Sequence, residues 1–229
     1  MRANREILLG MYQSARSRFG HQGWWPGETP FEVAIGAILT QNTNWANVEK
    51  ALGRLRKAGA LSFEGMRAMD DDALREAIRP AGYFNQKARK LQHLLDWLES
   101  RCQGSMELLD NAGTDTLREE LLSVRGVGPE TADSILLYAL GRCTFVVDAY
   151  TFRILTRHQM VAEETGYDEM KEVFEDHLPE DVELYKDYHA QIVMVGKKYC
   201  RRRRALCEEC PFKEFLPAGG VPAEMMQNE

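Results

Sequence analysis

Hydrophobic residues recur at helical spacing along nearly the whole chain, and this pattern restricts the fold more than any other feature. The segment NREILLGMYQSARSRF places apolar side chains on one side of a helix, and similar segments follow it. Thr29, Pro30 and Glu32 open one of these with a capping box and a proline at the first helical position. Strand-like composition is confined to the short run TFVV at Thr144 to Val147. The sequence therefore predicts an all-α protein.

Short breaks such as RPAGYFN and GYD divide the helical pattern into separate segments. Thr116 and Glu119 match a second capping box. Further helices are predicted at residues 44–57, 70–78, 86–101, 116–123, 129–140, 149–159, 168–177 and 184–199.

Length and composition are those of a chain that folds without a partner. With 229 residues, 44% of them hydrophobic, it can bury a substantial core. No segment resembles a secretory signal or approaches the roughly 18 apolar residues of a membrane span. The five cysteines are an odd number in a chain without an export signal, which argues against structural disulfides. We expect a cytoplasmic monomer without a membrane partner.

The charge distribution restricts how the chain can contact nucleic acid. Its formal net charge of −6 excludes a general polycation, so any such contact must use local basic patches. The run KKYCRRRR, from Lys197 to Arg204, holds six positive side chains, and Lys87, Arg89 and Lys90 form a smaller group. A solvated surface explains such runs equally well.

Two helical patterns are joined by a short glycine hairpin in LREELLSVRGVGPETADSILLYAL. Gly126 and Gly128 lack Cβ atoms, so the backbone there can approach a ligand closely, and Pro129 begins the second helix. Free N–H groups at a helix N-terminus suit a phosphate anion. A structural turn between packed helices accounts for the same glycines.

The order of several motifs resembles that of the endonuclease III superfamily of DNA glycosylases. GVGPETAD followed by VVDAYTFR is similar to the helix-hairpin-helix, Gly/Pro-rich loop and aspartate signature of that family. IGAILTQNT, AGYFNQKA and a C-x6-C-x2-C run occur in the family's order. The resemblance implies a two-domain helical protein that bends DNA and flips out a damaged nucleotide. Its domains would be a six-helix domain at 23–141, ending in the hairpin, and a second helical domain of residues 1–22 plus 142–229.

By this resemblance Asp148 is the catalytic carboxylate. It would stabilise the positive charge that develops on the sugar and direct the attacking water. Asp148 also precedes a helical segment, so it is expected to act as an N-cap as well. Bifunctional relatives carry a lysine where this chain has Glu130, and a carboxylate cannot form an imine. The resemblance thus implies hydrolysis without efficient lyase activity.

Tryptophans near the front of the chain resemble those of the bacterial 3-methyladenine glycosylase branch. In that branch the corresponding aromatic and proline residues sandwich the methylated base, which assigns the base pocket here to Trp24, Trp25, Pro26 and Trp45. Stacking holds flipped bases, and a cationic purine gains further from electron-rich rings. A core position is the more common role of a single tryptophan, but WWP lies in a glycine-bounded loop rather than on a helix face.

The remaining DNA contacts are also carried over from the resemblance. Gln41 matches the family position that fills the vacated stack, and Tyr83 matches the one that wedges between bases. The alternative roles are a polar group at a helix end for Gln41 and a partly buried aromatic residue for Tyr83. Lys87, the hairpin glycines and the arginine run are expected to grip the phosphate backbone; the run consists of Arg201, Arg202, Arg203 and Arg204.

The cysteine spacing matches most of the family's iron-sulfur loop. Cys200, Cys207 and Cys210 reproduce three members of the C-x6-C-x2-C-x5-C pattern, and Leu216 stands at the fourth. A [4Fe-4S] cluster with an outside fourth ligand and a relic without metal both fit this degenerate loop at 200–216. The 3-methyladenine branch can dispense with the cluster, which favours loss, and the chemistry requires no cofactor.

The residues together predict an enzyme of base excision repair that hydrolyses the N-glycosidic bond of alkylated purines, 3-methyladenine above all, in damaged duplex DNA. A rival in the same fold is a glycosylase for oxidised pyrimidines or mismatched bases. A third hypothesis is a non-catalytic DNA-binding protein, because helix-hairpin-helix units also occur in structural proteins.

Overall fold

A computed structural model describes residues 3–221, and in this range it is helical and contains no β-sheet. The all-α prediction is confirmed. Within the same residues, none of the helices has both the length and the apolar character needed to span a bilayer. The α-helices are α1 (Arg5–Phe19), α2 (Pro30–Thr40), α3 (Trp45–Lys57), α4 (Phe63–Arg67), α5 (Asp71–Ile78), α6 (Phe84–Cys102), α7 (Thr114–Ser123), α8 (Pro129–Ser134), α9 (Ala149–Arg157), α10 (Tyr167–Glu175) and α11 (Val182–Lys198).

The chain divides into two compact units. Among the described residues, one consists of 3–24 with 143–221, and the other is the continuous segment 25–142. The sequence prediction places its boundaries before residue 23 and after residue 141. Residues 222–229 of the second predicted domain lie outside the described residues.

Helix α2 is the centre of the unit formed by residues 25–142. Every residue from Phe31 to Leu39 is buried, and all of them except Glu32 are nonpolar, which is typical of a helix enclosed by a core. It packs against α3, α6, α8 and the π-helical turn Ile135–Ala139 that continues α8. Thr29 caps its N-terminus by accepting a hydrogen bond from the Glu32 amide at 3.1 Å, as predicted.

Three details of this fully described unit differ from the prediction. It contains seven α-helices rather than six, because a five-residue helix, α4, follows the cap residue Ser62. Helix α7 begins at Thr114 with Gly113 as its N-cap, so the predicted capping box of Thr116 and Glu119 is wrong. The predicted helix 129–140 changes to π-helical geometry after Ser134.

The other unit is built on α11, against which α1 and α9 pack. Its core is aromatic: Phe145 stacks on Phe174 with ring centroids 4.0 Å apart. The buried hydroxyl of Tyr188 donates to the Leu8 carbonyl oxygen at 2.7 Å, which satisfies a polar group inside this core. Residues 144–147, the run TFVV, are buried and belong to no helix or sheet.

Candidate active site

Asp148 is the N-cap of α9, as its position before the helical pattern predicted. Its Oδ1 atom accepts hydrogen bonds from the Thr151 amide at 2.8 Å and from the Thr151 hydroxyl at 2.9 Å. The side chain is only 12% exposed. These contacts fix one oxygen of the carboxylate and leave Oδ2 available for a different interaction.

His189 of α11 faces that second oxygen. The imidazole is buried, 5% exposed, and its Nε2 atom lies 3.7 Å from Asp148 Oδ2. Burial alone raises the pKa of Asp148, but the His189 imidazole and the Thr151 donors outweigh it and lower the pKa below its ordinary value. The lowered pKa favours the ionised form of the carboxylate even though its side chain is largely shielded from water.

Trp24 lies on the other side of the same imidazole. The Trp24 and His189 rings are stacked, with centroids 5.8 Å apart and planes at 4°. The Lys197 ammonium lies 5.8 Å from the centroid of the Trp24 ring, within cation–π range. The structure thus brings Asp148 and Trp24, two predicted site residues, to one histidine that the sequence patterns did not single out.

A buried carboxylate fixes the segment that carries Trp24. Asp187, 1% exposed on α11, accepts from the Gln22 amide at 2.9 Å and from the Tyr12 hydroxyl at 3.0 Å. His21 Nδ1 lies 3.0 Å from the same carboxylate. The loop before Trp24 is therefore attached to the helix that presents His189.

Trp25, Pro26 and Trp45 belong to the other unit. Trp25 packs edge-on against Trp45, with centroids 5.1 Å apart, and against Tyr138 at 5.2 Å. Both tryptophans are half-buried and Pro26 is exposed. Tyr138 was missed by the sequence reasoning because it lies in the apolar pattern of a buried helix.

The hairpin has the predicted form of helix, short glycine turn and helix. Gly126 has a φ of +96°, and a Cβ there would lie 2.5 Å from Lys90 Cγ, so glycine is required on both counts. Gly128 is extended and would have room for a Cβ. Arg118 of α7 donates to both oxygens of the fully buried Asp133 carboxylate, at 2.8 and 3.2 Å, and so ties the two helices together.

Gln41 lies at the end of α2 and is held by this hairpin. Its amide donates to the Thr131 hydroxyl at 2.9 Å and to the Gly126 carbonyl at 3.3 Å. The Lys90 ammonium donates to the Gln41 side-chain oxygen. Each of these contacts would have to break for the Gln41 side chain to enter a DNA stack.

Tyr83 is the most exposed of the large hydrophobic side chains recorded in residues 3–221, at 64% exposure. Its backbone adopts the left-handed conformation, with a φ of 46°, immediately before α6. Such a conformation is uncommon for a bulky residue and is found where the surrounding structure enforces it. The predicted wedge residue is thus displayed outward by a constrained turn.

The prediction that Lys87 grips the DNA backbone is wrong for this structure. Its side chain is 2% exposed, and its ammonium donates to the carbonyl oxygens of Leu39 and Ala81, both at 2.8 Å. Burial, with a smaller effect of Lys90, lowers the pKa of Lys87 to about 8. The sequence could not distinguish this enclosed lysine from its basic neighbours, the exposed Arg89 and the half-buried Lys90.

The cysteine loop is organised by a buried arginine of α9. Arg157, 3% exposed, donates to the carbonyl oxygens of Arg201 and Arg202, both at 2.8 Å, and to the Cys200 sulfur at 3.3 Å. Arg153 donates to the Cys200 carbonyl oxygen at 2.8 Å. With their main chain held in this way, the four consecutive arginines that begin the loop are exposed.

The loop does not supply a complete ligand set for a [4Fe-4S] cluster. Cys200, Cys207, Cys210 and Leu216 line one small cavity of about 10 Å³, and the leucine stands at the sequence position of the fourth ligand. Burial raises the pKa of Cys207 and raises that of Cys210 to about 11, which disfavours the thiolates that bind metal. In residues 3–221 no three His, Cys, Asp or Glu side chains are grouped to hold a metal ion.

Comparison with known proteins decides the family. Residues 35–180 match the model described as HhH-GPD superfamily base excision DNA repair protein. The chain belongs to this superfamily. It is 50% identical to a provisionally named DNA repair glycosylase of Methanocaldococcus jannaschii, over 92% of this chain and 96% of that one. This HhH-GPD protein is accordingly a DNA glycosylase of base excision repair.

Two further relatives agree with this assignment. The HhH-GPD protein is 32% identical to an endonuclease III of Thermotoga maritima, over 80% of this chain and 81% of the relative. It is also similar to the crystal structure of the H. pylori 3-methyladenine DNA glycosylase MagIII bound to 1,N6-ethenoadenine. That match has a TM-score of 0.73 and 30% identity, and it covers 84% of this chain and 96% of the other.

Proposed function

We propose that the protein is a monofunctional DNA glycosylase that hydrolyses the N-glycosidic bond of alkylated purines, 3-methyladenine above all. The observation that carries this proposal is the largely buried Asp148 carboxylate, 3.7 Å from His189, whose ring is stacked on that of Trp24. A buried negative charge stabilises the positive charge that develops on the sugar as the base leaves. The same carboxylate directs the attacking water.

An alkylated purine suits these residues better than a neutral base does. A base that carries a positive charge is already a good leaving group, so hydrolysis needs little acid catalysis on the base. Electron-rich rings favour such a cation by stacking. We assign contact with the flipped base to Trp24, Trp25, Pro26 and Trp45, and the similarity to a 3-methyladenine glycosylase supports the assignment.

Lyase chemistry lacks a suitable nucleophile at the expected place. Glu130 stands where bifunctional relatives carry the imine-forming lysine, and it is an exposed residue of the first turn of α8. Lys87 has the lowered pKa of an amine nucleophile, but its ammonium is enclosed by two carbonyl groups. We therefore propose hydrolysis that leaves an abasic site and an uncut strand.

We assign the grip on the DNA backbone to the hairpin and to the exposed arginines from Arg201 to Arg204, and strand penetration to Gln41 and Tyr83. Backbone N–H groups and arginines are the usual phosphate donors. We further propose that the protein works as a monomer on chromosomal DNA in the cytoplasm and needs no cofactor for the chemistry.

The test is base release from DNA treated with a methylating agent. Freed purines are identified by chromatography, and strand breaks are scored before and after alkali. We expect 3-methyladenine, with breaks that appear only after alkali. Breaks without alkali would contradict hydrolysis, and release of thymine glycol or mismatched thymine instead of methylpurines would establish the rival glycosylase.

The Asp148→Asn variant separates catalysis from DNA binding. Asparagine keeps the N-cap acceptor but removes the charge, so we expect base release to fall by about 100- to 10,000-fold while affinity for abasic DNA is retained. Unchanged release would remove Asp148 from the mechanism. Retained binding in a protein that never releases a base would establish the non-catalytic alternative.

A further inference from the structure

His189 is a buried titratable group that belongs to none of the motifs matched to the family. Its imidazole is 5% exposed, and it contacts Asp148 on one side and Trp24 on the other. The three residues come from separate parts of the chain: the turn before α9, α11 and the loop after α1. Burying an imidazole at this junction requires an explanation beyond packing.

We propose that His189 is a positioning residue, which fixes the plane of the Asp148 carboxylate through Oδ2 and supports the Trp24 ring by stacking. The effect of His189 on catalysis rests on the proposed function, because the rate that it would influence is the rate of base release. Its contact with the carboxylate does not depend on which base is released.

The first argument concerns orientation. The two Thr151 donors both bind Oδ1, so they hold one oxygen of the carboxylate and make no contact with the other. The Nε2 atom of His189, 3.7 Å from Oδ2, adds a second point of support at the oxygen that Thr151 does not contact. Misplacement of a reacting group by about 1 Å costs on the order of 100-fold in rate.

The second argument concerns charge. The Asp148 carboxylate is 12% exposed, and burial favours its neutral acid form, which could not stabilise a cationic sugar. The imidazole is the largest influence that opposes burial. Removing it should therefore raise the pKa of Asp148 and reduce the fraction of the ionised carboxylate.

The third argument concerns Trp24. Asp187 lies two residues before His189 on α11 and accepts a hydrogen bond from the Gln22 amide at 2.9 Å. Trp24 lies two residues after Gln22, and its ring stacks on His189. Helix α11 thus fixes both the loop and the ring. Because the same imidazole contacts Asp148, the carboxylate and the tryptophan are positioned by one side chain.

The experiment uses two substitutions that divide the roles of the imidazole. His189→Phe keeps an aromatic ring against Trp24 but removes the polar contact with Asp148. His189→Gln keeps a donor near Oδ2 but removes the ring. The matched control is His177→Phe. His177 is a half-buried histidine in the same unit, and its Nδ1 lies 3.0 Å from the Val173 carbonyl oxygen within its own helical turn.

We expect His189→Phe to lower the single-turnover rate of base release by about 10- to 100-fold, with affinity for abasic DNA within about twofold of wild type. His189→Gln should recover part of this loss, and His177→Phe should match wild type. A rate within about twofold of wild type in His189→Phe would overturn the positioning role in catalysis.

A second measurement does not use activity. Carbon NMR titration of the Asp148 carboxyl, assigned by its absence in Asp148→Asn, should give a higher pKa in His189→Phe than in wild type and an intermediate one in His189→Gln. An unchanged pKa overturns the contact. If wild type releases no base, the proposed function fails and this titration alone decides the role of His189.

Discussion

Asp148 combines two conditions that normally oppose each other, namely removal from water and retention of negative charge. Its carboxylate is 12% exposed, yet the His189 imidazole and the Thr151 donors keep its pKa below the ordinary value of 3.8. Because the folded pKa is lowered, ionisation of Asp148 stabilises the fold above the unfolded pKa. This stabilisation is lost as the pH falls through the folded pKa.

Urea unfolding of wild type and Asp148→Asn should therefore show a difference in stability that depends on pH. We expect wild type to be the more stable at about pH 7, and the difference to shrink as the pH falls below the ordinary value of 3.8 and through the lowered folded pKa. Asparagine retains the acceptor for the Thr151 amide, so the cap is preserved and the difference reports the charge. A difference that grows in acid would contradict this assignment.

The N-cap role of Asp148 was predictable at the residue scale, and its histidine neighbour was not. Asp148 precedes a helical segment, which indicates the cap, and its spacing from the hairpin is the basis for the catalytic role that we propose. His189 lies in the middle of α11, where only the three-dimensional fold decides which side chain it meets. Contacts between residues 41 positions apart leave no periodic signal.

Elements in the unit of residues 25–142 are joined by Lys87 rather than by apolar packing alone. Its ammonium binds Leu39 at the end of α2 and Ala81 in the turn before Tyr83, both at 2.8 Å. The two segments that carry Gln41 and Tyr83 are therefore held together by one side chain.

Lys87→Met keeps the length of the side chain and removes its donors. Leaving two buried carbonyl groups without them should destabilise the fold by about 1–3 kcal/mol and speed hydrogen exchange at residues 39–44 and 80–84. Mass spectrometry measures that exchange, and Lys50→Met, at an exposed position of α3, is the control. Faster exchange in α6 alone would refute the connection between the two segments.

The expected loss of the iron-sulfur cluster can be tested by restoring the fourth cysteine of the loop. Leu216→Cys completes the C-x6-C-x2-C-x5-C pattern, and its Cβ begins in the cavity already lined by the other cysteines. We expect anaerobic reconstitution to raise the iron content of this variant above that of wild type. Leu206→Cys, elsewhere in the same loop, should show no gain, and a wild-type protein that already binds four irons per chain would contradict the proposed loss.

Element boundaries show where local sequence rules succeed and where they fail. The start of α2 was predictable because Thr29 and Pro30 act within one turn. The start of α7 was not, because Gly113 offers no side-chain cap and the capping-box pattern at Thr116 fell inside the helix. Helix α4 has five residues, too few for a recognisable period.

For the whole molecule, the order of motifs predicted two helical units, but not the contacts that return the N-terminal segment to the second half of the chain. Tyr12 and Gln22 both donate to Asp187, more than 160 residues away. Such pairings depend on tertiary structure, and helical periodicity reports only which face of each element is apolar.

The net charge of the whole molecule restricts how it can bind DNA. A protein with a formal charge of −6 must use local positive patches. Arg203 and Arg204 are exposed next to two arginines whose carbonyl groups are held by Arg157. Replacing both with glutamine should weaken binding to every DNA sequence alike. Each lost phosphate contact reduces the slope of log affinity against log salt by about 0.9.

Fluorescence anisotropy across a salt series measures this slope for wild type and for the double variant. We expect the two slopes to differ by about two, and the affinities to converge at high salt. Lys50→Gln, in the other unit, should leave the slope unchanged, since its exposed charge lies outside the arginine run. Equal slopes for wild type and the double variant would show that the cysteine loop does not grip the backbone, and the hairpin would then have to supply the phosphate contacts.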